Sequence, residues 1–215
     1  MGGMKTVPRQ LIFLMTLVSL FVMSAHTPYA AAPEKKILAF GDSLTAGYGL
    51  PYDQSFPAQL EKTLRAQGYA VSVINAGVSG DTSTGGLARL GWTLRQRPDF
   101  VILELGANDM LRGADPALVR HNLDTMLKIL HDRKIPVLLA GMQATTNLGQ
   151  KYAAGFDAIY PALARKYRVL YYPFFLKGVW DKPALRQPGN IHPNAAGVAV
   201  IVGNILPKVK ELLKR

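Results

Sequence analysis

Apolar residues are laid along this chain in two alternating textures. Short unbroken runs at 37–40, 71–74, 100–105, 136–140 and 169–172 lack the period-two alternation of half-exposed strands. They read as strands covered on both faces of a parallel sheet. Between them lie longer stretches with helical spacing, at 55–67, 82–96, 116–132, 151–166 and 194–213. Their ends are punctuated accordingly. Ser55 precedes Pro57, Gly68 follows the first stretch, Asp115-Pro116 opens the third, and Lys208, Lys210, Lys214 and Arg215 sit toward the end of the last. A strand and helix recur every 30–35 residues or so, about the size of one βαβ unit. The pattern therefore predicts an α/β fold: a doubly wound three-layer α/β/α sandwich on a central parallel sheet of about five strands. One stretch, 174–191, is irregular and rich in Pro, Gly and Lys. It leads into the sole His-Pro pair and reads as a functional loop.

Residues 1–32 have a different texture. Lys5 and Arg9 precede an apolar run at 11–25, which is followed by Pro28 and by Ala30, Ala31 and Ala32. That is the order of a cleaved secretory signal peptide. The run falls short of the roughly 20 apolar residues that span a bilayer, and Thr16, Ser19 and Ser24 interrupt it. The expectation is removal of 1–32, leaving 33–215 as a single domain in the periplasm or outside the cell.

Composition narrows the function classes. With 49% hydrophobic and 18% charged residues, the 215-residue chain has ample material for a core. The absence of Cys excludes disulfides, thiolate metal sites and a thiol nucleophile. The formal net charge of +11 includes two basic residues of the leader. No basic run is interleaved with aromatics, so no nucleic-acid partner is expected. The charge suits an anionic substrate or peripheral contact with an anionic membrane surface.

In an open parallel sheet, ligands bind at the carboxyl ends of the strands, so the loops after the apolar runs are where chemistry is expected. Gly41-Asp42-Ser43-Leu44 follows the first run, and 75–81 (Asn-Ala-Gly-Val-Ser-Gly-Asp) the second. Gly106-Ala107-Asn108-Asp109 follows the third, and Asn190-Ile191-His192-Pro193-Asn194 precedes the last helix. Ser43 on a tight turn presents a hydroxyl that needs a base to become a nucleophile. His192 is the candidate base, because His26 lies in the leader while His121 and His131 lie on a helical stretch and read as solvated. Backbone N–H groups of Ser43 and Gly80 and the Asn108 side chain are candidate donors to an oxyanion.

These blocks carry a resemblance. Phe-Gly-Asp-Ser-Leu-Thr at 40–45, Gly-Val-Ser-Gly-Asp-Thr at 77–82, Gly-Ala-Asn-Asp at 106–109 and Ile-His-Pro-Asn at 191–194 resemble the GDSL esterase/lipase family, also called SGNH hydrolases. Within it the chain is similar to exported arylesterases, acyl-CoA thioesterases and lysophospholipases. The resemblance implies a flavodoxin-like fold and a carboxylic ester or thioester hydrolase. It implies Ser43 as nucleophile, His192 as base and Ser43, Gly80 and Asn108 as oxyanion hole, with no metal or organic cofactor.

One position departs from that family. An Asp is expected three residues before the His, and Gly189 stands there, followed by Asn190. Three arrangements are open: a backbone carbonyl orients the ring, Asp181 reaches back, or the protein is a catalytically weak acyl- or lipid-binding relative. A carbohydrate-modifying acetylesterase is a further alternative. Val78, Leu111, the 142–149 loop with Met142, and 174–176 with Phe174 are the expected substrate-binding residues, an apolar set suited to acyl or aryl groups.

Overall fold

The structure, a computed structural model, describes residues 1–3 and 34–215. Apart from its first three residues, the expected leader lies outside the described residues. Among the described residues, no helix is long and apolar enough to cross a membrane.

Five strands form one parallel sheet: β1 (Lys35–Gly41), β2 (Val71–Gly77), β3 (Phe100–Glu104), β4 (Val137–Ala140) and β5 (Leu170–Tyr172). Their order is β2-β1-β3-β4-β5, each pair parallel, which is the flavodoxin-like arrangement. β3 and β4 are buried at every position, which is why their sequences show no alternation.

Among the described residues, eight helices flank the sheet: α1 (Ser43–Ala46), α2 (Phe56–Ala66), α3 (Ser83–Thr93), α4 (Ala107–Leu111), α5 (Pro116–Asp132), α6 (Gln150–Asp157), α7 (Ile159–Tyr167) and α8 (Ala195–Leu212). α2 packs on α8, and α5 packs on α3 and α7, so two helical layers enclose the sheet. The single helix expected at 151–166 is two helices. Pro161 has no N–H to donate to the carbonyl of Asp157, and the helix breaks at Ala158. The four-residue α1 and five-residue α4 are too short to show periodicity, and no helix was expected at either.

The sheet winds outward in opposite directions from β1 and β3. Register sets the carboxyl ends of β1, β2 and β3 level, with Gly41 opposite both Gly77 and Glu104. The loops that follow these residues leave one edge of the sheet and splay apart, opening a crevice at the switch point.

Candidate active site

The turn carrying Ser43 is built by close packing. A Cβ on Gly41 would strike Thr45 Oγ1 and the Glu104 carboxylate, so only glycine lets β1 end this near β3. Asp42 then caps α1, its Oδ1 accepting from Leu44 N at 2.9 Å. Thr45 Oγ1 donates to Glu104 Oε2 at 2.7 Å. Asp42 and Glu104 are both fully buried. Burial pushes the Asp42 carboxyl up to about 7 and drives Glu104 well above the usual carboxylate range, where the Asp42 charge adds to the effect.

Arg89 of α3 ties the neighbouring loops together. Its Nε pairs with Asp81 Oδ2 at 2.6 Å, Nη1 donates to Ala76 O at 2.9 Å and Nη2 to Gly41 O at 2.8 Å. The guanidinium also lies 3.9 Å above the Phe40 ring. One cation thereby links the ends of β1 and β2 to the loop that carries Gly80. Gly80 has φ +84°, a left-handed conformation that favours glycine, and its carbonyl accepts from Arg112 Nη2 at 2.9 Å. Asn108 projects from α4 beside this loop, its Nδ2 donating to Asp81 O at 2.9 Å and to Asp42 Oδ2 at 3.2 Å.

His192 arrives on a loop closed by backbone pairing and by amides. Arg186 bridges Pro193, Gln187 N donates to His192 O at 2.8 Å, and Asn194 Nδ2 donates to the carbonyls of Ala184 and Arg186. Gln187 Nε2 joins this loop to the Ser43 side by donating to Tyr48 O at 2.6 Å. The result places His192 Nε2 2.9 Å from Ser43 Oγ. Tyr48 packs against the imidazole, ring centroids 4.7 Å apart. Burial lowers the His192 pKa, so the neutral, basic form persists into mildly acidic solution.

The other face of the ring meets Asn190. Asn190 Oδ1 accepts from His192 N at 2.6 Å and lies 3.1 Å from His192 Nδ1. A backbone N–H only donates, so the amide atom facing it is the oxygen. That same oxygen then requires Nδ1 to carry the proton, which leaves the Nε2 lone pair directed at Ser43. The amide thus selects the tautomer that a general base needs.

Ser43, Gly80, Asn108 and His192 line one cavity of about 480 Å³. Leu111, Met142 and Phe174 line it as well, whereas Val78 is 44% exposed and lies outside the lining. Val78 donates its N–H to Gly41 O, which holds the backbone against β1 and leaves the side chain outside the cavity. Tyr48, Met110, Leu176 and Trp180 complete much of the apolar wall. Tyr48, Met110 and Trp180 were missed in the sequence because each comes from a different segment. Asp181 is exposed and occupies neither ring nitrogen of His192. Gly189 has φ +71° and no side chain to offer. Asn190, one position nearer the histidine, is the residue that faces Nδ1. Its position two residues before His192 is the signal the sequence offers, although the family pattern places a carboxylate one position earlier. His121 and His131 are exposed on α5. Among the described residues, no group of three or more His, Asp or Glu could hold a metal ion.

Comparison with known proteins agrees with this architecture. The family model described as "GDSL-like Lipase/Acylhydrolase family" matches residues 39–200. An arylesterase of Vibrio mimicus is 41% identical over 184 residues, covering 85% of this chain and 90% of its own. Thioesterase 1/protease 1/lysophospholipase L1 of Escherichia coli K12 is 40% identical over 175 residues, covering 81% and 83%. The crystal structure of AlinE4, an SGNH-hydrolase family esterase, is 49% identical with a TM-score of 0.72, covering 85% of this chain and 98% of its own. The strand-end loops, the parallel sheet and the matched sequence lead to one assignment: the chain belongs to the GDSL-like lipase/acylhydrolase family, whose members are also called SGNH hydrolases.

Proposed function

We propose that this protein hydrolyses carboxylic esters or thioesters through an acyl-enzyme on Ser43, with His192 as base and Asn190 in place of the usual carboxylate. The observation that carries the reading is the 2.9 Å approach of Ser43 Oγ to a His192 nitrogen whose partner across the ring is an amide oxygen. His192 Nε2 takes the Ser43 proton as Oγ attacks the acyl carbonyl. The resulting oxyanion is held by the N–H groups of Ser43 and Gly80 and by Asn108 Nδ2. The imidazolium then protonates the departing alcohol or thiol as its bond to the acyl carbon breaks. Water enters, gives its proton to Nε2, and releases the acid by the same steps in reverse.

Asn190 orients the ring as a carboxylate would, but it brings no charge to stabilise the imidazolium. In serine-protease triads, replacing the acid by Asn costs roughly 10⁴ in kcat, much of it through the wrong tautomer. Here the His192 backbone N–H holds the amide the right way round, so the deficit is confined to the missing charge. That makes a slower enzyme than an Asp-bearing relative. The apolar lining suits acyl chains or aryl groups, in keeping with the names of the arylesterase and thioesterase relatives.

A panel of p-nitrophenyl esters, acyl-CoA and lysophospholipid tests the proposal. Ser43→Ala is expected to lower every turnover at least about 10³-fold. Unchanged turnover overturns the reading. No turnover by wild type, together with retained binding of acyl ligands, favours the acyl-binding alternative raised by the absent carboxylate. Export to the periplasm is part of the same proposal, resting on the charged, apolar and small-residue order of 1–32. N-terminal sequencing of the mature protein checks it, and an intact Met1 would refute it.

A further inference from the structure

The aspartate next to the nucleophile is a buried group that the steps above leave without a task. Its two oxygens are divided between the two halves of the site. Oδ1 accepts from Leu44 N, at the first turn of the helix that bears Ser43, and Oδ2 accepts from Asn108 Nδ2. The other acceptor for Asn108 Nδ2 is the carbonyl of Asp81. An amide has two N–H bonds, so in the free protein both are occupied. One must turn to the oxyanion when substrate reacts, and the other must hold the amide in place. Asp42 is the anchor suited to the second task, because it is fully buried and also grips the nucleophile turn. Releasing a bond to a buried carboxylate costs more than releasing one to a loop carbonyl.

We propose that Asp42, in its ionised form, is a positioning residue that fixes the oxyanion donor Asn108 relative to Ser43. The inference rests on the reading of Ser43 and Asn108 given above. Each Asp42 oxygen faces an N–H donor, so a proton on either one weakens it as an acceptor and loosens one of the two anchors. A neutral Asp42 therefore leaves Ser43 and His192 in contact while loosening the oxyanion hole. The loss falls on the transition state and appears in kcat rather than KM.

The surroundings place this proton exchange within reach of ordinary assay conditions. Burial is the main cause, and the like charges of Asp81 after β2 and Asp109 on α4 add to it, while the Glu104 carboxyl on β3 also faces Asp42. Glu104 itself is driven toward its neutral form, and Asp42 N lies 3.4 Å from its Oε2. Arg89 on α3 is the nearby cation, and it is committed to Asp81 and two backbone carbonyls. Asp42 is left exchanging its proton near 7, above the range in which the half-buried His192 takes one up.

Asp42→Asn separates this role from a structural one. Asn has one acceptor oxygen for two donors, so it mimics the protonated residue at every pH. With a p-nitrophenyl ester, the ratio of wild-type to Asp42→Asn kcat is expected to be about 10–100 at pH 8.5, less than the roughly 10²–10³ that outright removal of an oxyanion donor costs, because Asn108 is loosened and not lost. It should shrink toward one below pH 6, with KM nearly unchanged. A ratio that stays constant across pH overturns the proposal. If the variant does not fold, the wild-type profile decides: a step in kcat near pH 7 above the His192 limb supports the proposal, and a single limb overturns it. Hydrolysis that survives Ser43→Ala would instead refute the reading on which the inference rests.

Discussion

The two sides of the Ser43–His192 contact are built on opposite principles. The serine side is buried and crowded with ionisable groups, with Asp42, Glu104, Asp81, Asp109 and Arg89 packed around the ends of β1–β3. The histidine side is half-exposed and neutral, closed by the amides of Gln187, Asn190 and Asn194. Ionisable groups on the first side are costly to bury, yet they hold the turn that carries Ser43 and the amide of Asn108 in place. Neutral amides on the second side cost little and still specify geometry, since an amide oxygen pinned by a backbone N–H is a directional acceptor. What the second side gives up is electrostatic help for the imidazolium. Geometry and charge, supplied together by one Asp in the family pattern, are separated here.

Removing the acceptor on the neutral side should have the largest effect on this contrast. Asn190→Ala leaves His192 Nδ1 without its partner and frees the tautomer, and kcat on a p-nitrophenyl ester is expected to fall about 10²-fold with KM little changed. A loss under threefold would mean that the loop backbone alone orients the ring. The buried side yields a smaller, pH-dependent effect on stability. A carboxyl whose folded pKa is raised stabilises the fold fully below its unfolded pKa of about 4.3, and that contribution is lost as pH rises through the folded value. Glu104 is such a group. Glu104→Gln should therefore lower the melting temperature at pH 5, where Glu is neutral and Gln only disturbs the bond from Thr45. By pH 9 the deficit should narrow or reverse. Thermal unfolding at the two pH values measures it, and a deficit that widens with pH contradicts the assignment.

Much of this was legible in the sequence. The five unbroken apolar runs became the five strands because a sheet covered on both faces demands them. Three of the four blocks meet at the candidate site because register sets the ends of β1, β2 and β3 level, and the fourth, at 190–194, is brought to them by loop pairing and by Gln187. What could not be read arose from two sources. Tyr48, Met110 and Trp180 meet in the cavity through tertiary packing, and no local pattern encodes that meeting. Asn190 is hidden by chemistry, since the charge that marks a triad acid in a sequence is absent from an amide whose oxygen nonetheless faces the ring. Val78 was misplaced because apolar character is shared by wall residues and by exposed ones, and backbone orientation decides between them. The break at Ala158 was legible in Pro161, although the surrounding helical period masked it.

The central claim is that an amide orients His192 without adding charge. The direct test is Asn190→Asp, measured as kcat against pH on a p-nitrophenyl ester. A carboxylate at the same position keeps the bond to the His192 backbone N–H and adds the missing charge. The expected result is a rise in kcat of about tenfold or more at pH 8.5, with the acid limb of His192 moved to higher pH as the imidazolium is stabilised. An unchanged or lower kcat with the limb in its original place would contradict the account.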